Sequence, residues 1–202
     1  MRDIVGQILE VNGEKKRVSH ILWDEQTIKR NVKRVAKEIA AKYGPLLEEE
    51  PSRDLVLVGI LNGAIPFLDA LSQELSRHLP FDRVRYDTLG ISSYDETTVS
   101  GELKITKDLK DPIGGNYVIA IDDIIHTGYT SRYFVQLFKH KGAFSIEVCA
   151  LVHRAIHTRQ GLMPDYVAVH LTKDEFIIGY GLDWAKMGRI LPCIAAIEDV
   201  KE

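Results

Sequence analysis

An α/β domain built on a mainly parallel sheet is the fold class this sequence predicts, and three observations predict it. Short runs that are apolar on both faces recur along the chain, as buried parallel strands do. Amphipathic stretches of helical period alternate with them, the pattern of βαβ units. The 202 residues are 45% hydrophobic and 27% charged, which sets aside disordered, collagen-like and low-complexity classes. That length favours one compact domain able to bury a core without disulfides or a structural metal.

The elements follow in order. Residues 1–22 are mixed and predict a short strand or arm around Val18 to Leu22. Asp24 caps a helix of about five turns, with Ile28, Val32, Val35 and Ile39 at helical spacing. Gly44-Pro45 is expected to stop it. A polar, acidic link from Glu48 to Asp54 leads to Leu55–Leu61, which reads as a buried parallel strand. Asn62-Gly63 turns the chain into a second helix, with Phe67, Leu68, Leu71 and Leu75 on one face. Val84, Tyr86 and Thr88 alternate with polar residues, as in a half-exposed strand. Ser92, Ser93, Thr97, Thr98, Ser100 and Gly101 read as a long mobile loop. Tyr117–Ile121 is a second buried strand, ending in Asp122-Asp123. The next helix begins near Thr130, carries Phe134, Leu137 and Phe138, and closes at Gly142. Ile146–Val152, Tyr166–Val169 and Ile194–Ile197 read as further strands. No internal repeat is present.

Charge and cysteine usage narrow the function classes. The 26 basic and 29 acidic residues leave a formal charge of −3. No basic stripe carries interleaved aromatics, so a nucleic-acid partner is not expected. An anionic ligand would need local devices such as a helix N-terminus or a metal ion. Cys149 and Cys193 are far apart and make neither a zinc nor a C-x-x-C spacing. The segment Met1–Gln7 lacks the long apolar core of a secretory signal, and no apolar run reaches membrane-spanning length. The expectation is a soluble cytoplasmic protein with no membrane partner.

In open α/β sheets ligands bind beyond the carboxyl ends of the strands. The strongest signal there is Ile119–Ser131, in which an apolar strand delivers Asp122 and Asp123 and a Thr-Gly turn starts a helix. Backbone N–H groups of Thr127 to Thr130, with the hydroxyls of Thr127, Thr130 and Ser131, would form a cup for a monophosphate. An ordinary capped helix has the same spacing. The acidic pair favours the ligand reading, because a sugar diol or hydrated magnesium would offset two repelling carboxylates.

This segment resembles the phosphoribosyl-diphosphate-binding motif of the type I phosphoribosyltransferases. Gly59–Ala64 is similar to that family's diphosphate-binding loop. Ser92-Ser93-Tyr94 and Ser100–Lys104 are similar to its mobile active-site loop. Phe176–Asp183, followed by Arg189 and Leu191-Pro192, resembles the base-binding end of the hypoxanthine-guanine phosphoribosyltransferases. The resemblance spans roughly residues 18–198, in matching order.

The resemblance implies the type I phosphoribosyltransferase fold as a single domain over 1–202. Its parallel core would cover about 50–170, with a small hood from about 1–25 and 171–202. It implies magnesium-dependent transfer of phosphoribosyl to a purine or purine-like base, with release of diphosphate. A non-catalytic sensor of the same ligand is the alternative, and a homo-oligomer is expected. The catalytic set would be His126, Asp122, Asp123 and Tyr94. Leu61, Asn62, Gly63, Ser93, Tyr94, Asp122, Asp123, Thr127, Gly128, Tyr129, Thr130 and Arg189 would bind phosphoribosyl diphosphate, with a cis peptide in the Leu61-Asn62-Gly63 loop. His126, His153, Phe176, Ile177 and Asp183 would meet the base. Asp183, with Asp122 and Asp123, would serve magnesium.

Three positions depart from the family pattern. His126 stands where the family usually has the aspartate that accepts the purine proton. His153 stands where it usually has a lysine that donates to the 6-oxo group. Tyr129 replaces a frequent lysine. A neutral imidazole both donates and accepts, so the 6-oxo preference does not carry over. The expectation is an altered base specificity or proton route with retained ribosyl-diphosphate binding, and activity steep in pH between about 6 and 7.

Overall fold

The computed structural model describes residues 3–93, 103–154 and 162–200. Its elements are β1 (Ile8–Val11), β2 (Glu14–Trp23), α1 (Glu25–Glu49), β3 (Leu55–Leu61), α2 (Ile65–Leu75), β4 (Val84–Ser93), β5 (Leu103–Lys107), β6 (Tyr117–Ile125), α3 (Tyr129–His140), β7 (Ser145–Arg154), β8 (Tyr166–Leu171), β9 (Phe176–Ile178) and β10 (Ile194–Asp199). Six strands form the main sheet in the order β5-β4-β3-β6-β7-β8. All its pairings are parallel except β4 with β5. The ends of the chain build a second, antiparallel sheet, β1-β2-β10-β9, which is the hood.

Alternation inside the apolar runs explains why they are central. Leu55 and Leu57 of β3, with Ile119 and Ile121 of β6, belong to the core that α1 and α2 cover. Val56, Val58 and Ile60, with Val118 and Ala120, belong to the core beneath α3. Each strand therefore buries both faces, as the sequence predicts. Phe134 and Phe138 of α3 are fully buried on the second face. A smaller core inside the hood joins Ile4, Val18, Ile178, Trp184, Cys193, Ala195 and Ile197.

Several expectations need correction. The first helix does not stop at Gly44-Pro45; it runs to Glu49 with Pro45 inside it. Tyr43 and Leu47 extend its buried stripe, and packing outweighs the local breaker. Arg83 then closes the helix end, donating to the carbonyls of Leu47 (3.3 Å) and Glu50 (3.2 Å). The N-terminal arm is a hairpin, with Asn12 (φ 53) and Gly13 (φ 84) at its tip. Ser92 and Ser93 are strand residues paired with β5, not loop. The remainder of the expected loop, 94–102, lies outside the described residues. The strand after Tyr117 continues four residues past Ile121, so Asp122 and Asp123 sit within it. Among the described residues no helix is long and apolar enough to cross a membrane.

Candidate active site

The extension of β6 carries the acidic pair. Asp122 is buried and Asp123 partly so. The Asp122 carboxylate accepts from the Asp123 amide (3.1 Å), and the Asp123 carboxylate from the Ile124 amide (2.9 Å). Burial first, and the Asp123 charge second, push the Asp122 carboxyl well above the usual carboxylate range. Burial also raises Asp123, against its hydrogen bond with Asp122 and the positive field of Arg189.

Beyond β6 the chain turns into α3 through Gly128, held in the left-handed region at φ 75. The N-cap Gly128 has no side chain to cap this helix, and the Tyr129 amide makes only a long bond, 3.4 Å, to Thr127 Oγ1, which leaves the start of the helix open to an anion. A cleft of about 260 Å³ opens over them. It gathers Leu61, Asp122, Asp123, His126, Thr127, Gly128, Tyr129, Thr130 and Ser131, with Ile60 and Ile91 as apolar wall. Leu61 and Asn62 are joined by a cis peptide, as the resemblance implies.

A second cleft, about 320 Å³, adjoins the first and shares Asp123, Ile124 and His126 with it. Its remaining walls are Arg154, Phe176, Ile177, Leu182 and Asp183. Phe176 is half exposed, so a flat face is presented to the opening.

Gly63 locks the floor in place. A Cβ there would stand 1.7 Å from Asp123 Oδ2, so only glycine lets the carboxylate lie against this turn. The hood closes on the same point, since a Cβ on Gly181 would meet the Gly63 carbonyl oxygen at 1.9 Å. Asp183 follows in that hood loop. Its carboxylate accepts from Arg189 Nη2 and from the Lys186 amide, each at 2.6 Å, and Arg189 Nη1 donates to the Gly181 carbonyl at 2.5 Å.

His153 is not where the sequence places it. It is buried, registers with Ile125 and His170, and stands edge-on to the His170 ring at 5.5 Å. Successive strand residues face opposite sides, so the next residue, Arg154, reaches the base-side cleft and His153 lines neither cleft. Burial, then the His170 charge, lowers the His153 pKa. Of the two histidines expected at the base, His126 borders both clefts and His153 borders neither. Arg154 was missed, and a strand buried on both faces gives no alternation from which to find it. The side chain of Ser93 and the whole of Tyr94 lie outside the described residues.

Among the described residues no three acidic, histidine or cysteine side chains gather into a protein-built metal cage. The donors do fit magnesium held mainly by a substrate. Asp122 and Asp123 are adjacent carboxylates on the wall of the first cleft, and magnesium typically takes one or two carboxylates plus phosphate oxygens and water.

Residues 21–184 match the phosphoribosyl transferase domain family. The chain belongs to this family. Among its curated relatives, a hypoxanthine-guanine phosphoribosyltransferase of Bacillus subtilis (strain 168) is 32% identical over 182 residues, which cover 90% of this chain and 94% of that one. The Streptococcus agalactiae (serotype V) protein of the same name is 33% identical, covering 90% and 94%. A solved asparagine mutant, from the analysis of an invariant aspartic acid in HPRTs, superposes with a TM-score of 0.81 at 30% identity, covering 90% and 93%. A Staphylococcus aureus hypoxanthine phosphoribosyltransferase gives 0.78 at 28% identity, covering 90% and 92%. This phosphoribosyltransferase is thus similar in sequence to hypoxanthine-guanine phosphoribosyltransferases and in fold to solved hypoxanthine phosphoribosyltransferases.

Proposed function

We propose that this phosphoribosyltransferase joins a purine or purine-like base to C1 of phosphoribosyl diphosphate and releases diphosphate, with magnesium. The observation that carries the reading is the pair of adjoining clefts with Asp123, Ile124 and His126 as their common wall. One cleft ends in the uncapped start of α3, which suits a terminal phosphate. The other is flat, aromatic and of a size for a base. The sugar would bridge them.

Each residue then has a task. The amides and hydroxyls of Thr127 to Ser131 anchor the 5-phosphate. Asp122 and Asp123 face the ribose hydroxyls, whose hydrogen bonds offset the acidic pair's burial. The Leu61–Gly63 turn and Arg189 hold the departing diphosphate, and Arg189 exchanges the Asp183 carboxylate for it. Phe176 stacks on the base and Ile177 lines its cleft. Magnesium at Asp122 and Asp123, with a second ion at Asp183, would supply charge neutralisation to the leaving group. His126 stands at the junction of the clefts and takes the proton as the ring nitrogen bonds to C1 and the C1–O bond breaks. Closure against water falls to Tyr94.

Turnover tests this directly. Protein, phosphoribosyl diphosphate, magnesium and a panel of oxo- and amino-purines are incubated and diphosphate release is followed. Release with at least one base, with formation of its ribonucleoside monophosphate, supports the reading. His126, in place of the family's usual acid, favours one second reading, a sensor that binds without turnover. Saturable binding with no release across the panel selects it.

A further inference from the structure

Phe176 faces the base-side cleft from the least supported strand of the hood. β9 is three residues long and lies at the sheet edge, paired among the described residues only to β10. The residues before it, Thr172 to Asp174, are exposed. One side chain of the main sheet reaches across to this segment. Arg154, at the end of β7, donates from Nη1 to Asp174 Oδ1 at 2.8 Å and from Nη2 to the Glu175 carbonyl at 2.7 Å. Its side chain is only 12% exposed and itself walls the cleft. From the far side, His20 of β2 stands 3.4 Å from the Glu175 carboxylate.

We infer that Arg154 is a positioning residue: it bolts the 174–175 turn to the main sheet and so sets Phe176 over the base, determining base affinity. The inference rests on the function proposed above for this cleft. The geometry suits the task. A guanidinium fork that holds two adjacent residues fixes the direction of the segment as well as its distance. Asp174 is 69% exposed, so the ion pair alone contributes little. The bond to the Glu175 carbonyl, one residue from Phe176, is the part that orients the ring. β10 holds the opposite edge of β9, so Phe176 is gripped from both sides. In the placement proposed above, phosphoribosyl diphosphate occupies the other cleft and touches neither grip, which gives the inference its signature.

The test compares the full-length parent with Arg154→Met, Arg154→Lys and Asp174→Asn. Arg154→Met is expected to raise KM for the base ten-fold or more and to leave KM for phosphoribosyl diphosphate within two-fold. Arg154→Lys, which keeps one donor but no fork, and Asp174→Asn, which keeps the carbonyl bond, should show smaller rises in the same sense. Hydrogen exchange reads the same contact without turnover. Amides of Phe176–Ile178 should exchange faster in Arg154→Met while those of α3 stay unchanged. Equal rises in both KM values, or unaltered exchange in β9, overturn the inference. A parent that turns over no base refutes the proposed function instead, and the exchange measurement still decides the bolt. Should Arg154→Met not fold, Arg154→Lys, which loses the fork on Asp174 and the Glu175 carbonyl, carries the comparison: faster β9 exchange supports the bolt and unchanged exchange overturns it.

Discussion

A Cβ on Gly63 would lie 1.7 Å from Asp123 Oδ2, so the β3–α2 turn and the β6 carboxylate occupy space that only glycine leaves open. The Gly63 carbonyl is in turn the seat of Gly181 in the hood. Sheet, turn and hood meet at one point, and the two clefts share the acid that sits there.

Gly63→Ala should therefore damage function more than stability. Overpacking of this kind costs about 1–3 kcal/mol, which a domain of this size survives. The displaced Asp123 would lose the ribose and the wall between the clefts. The expected outcome is a folded protein by thermal melt, with kcat/KM reduced by about a hundred-fold or more.

Asp122→Asn should stabilise the free protein at neutral pH and abolish phosphoribosyl-diphosphate binding. Folding raises the Asp122 carboxyl above its ordinary value of 3.8. Above that value the unfolded chain has released a proton that the folded chain still holds, so rising pH opposes folding until the folded group also ionises. The native acid thus contributes a stability that is full below the ordinary carboxylate range and declines as pH rises. Asparagine removes that dependence while its side-chain oxygen can still accept from the Asp123 amide. Melts from about pH 5 to 7.5 should show the parent losing Tm relative to Asp122→Asn. Parallel curves would refute the electrostatic account.

The Arg189–Asp183 pair should act on affinity for one substrate. Both side chains are partly exposed, at 30% and 26%, so breaking their 2.6 Å contact costs little stability. Arg189→Gln is expected to raise KM for phosphoribosyl diphosphate about ten-fold or more, with Tm nearly unchanged. KM for the base should stay put.

His126 borders both clefts, and if it takes the purine proton as proposed the rate of the parent should fall as pH is lowered from about 7.5 to 5.5, because an imidazolium cannot accept it. His126→Asp should keep its rate further into acid, since a carboxylate holds its accepting form there. If the variant also gains hypoxanthine or guanine turnover that the parent lacks, this position sets base choice. Identical profiles and identical base use would remove His126 from the mechanism.

The main sheet was legible because β3, β6 and β7 are apolar on both faces, a pattern that needs no partner to be read. The cleft over the start of α3 was legible because strand, acidic pair, Thr-Gly turn and helix are contiguous. The misses involve distance or facing. Gly44-Pro45 fails to end α1 because Leu47 packs and Arg83, 36 residues away from Leu47, accepts the task of capping. β5 alternates charged with apolar residues at an edge, and its partner strand is what defines it. Asn12-Gly13 carried a hairpin signal that the mixed residues around it obscured. His153 packs against His170 while Arg154 lines the second cleft, a facing that a strand apolar on both faces does not reveal.

Calorimetry with phosphoribosyl diphosphate and magnesium tests the central claim most directly. The account predicts one saturable site per chain, weakened by Arg189→Gln and lost in Asp122→Asn. No heat in the parent, or equal binding by parent and Asp122→Asn, would contradict it.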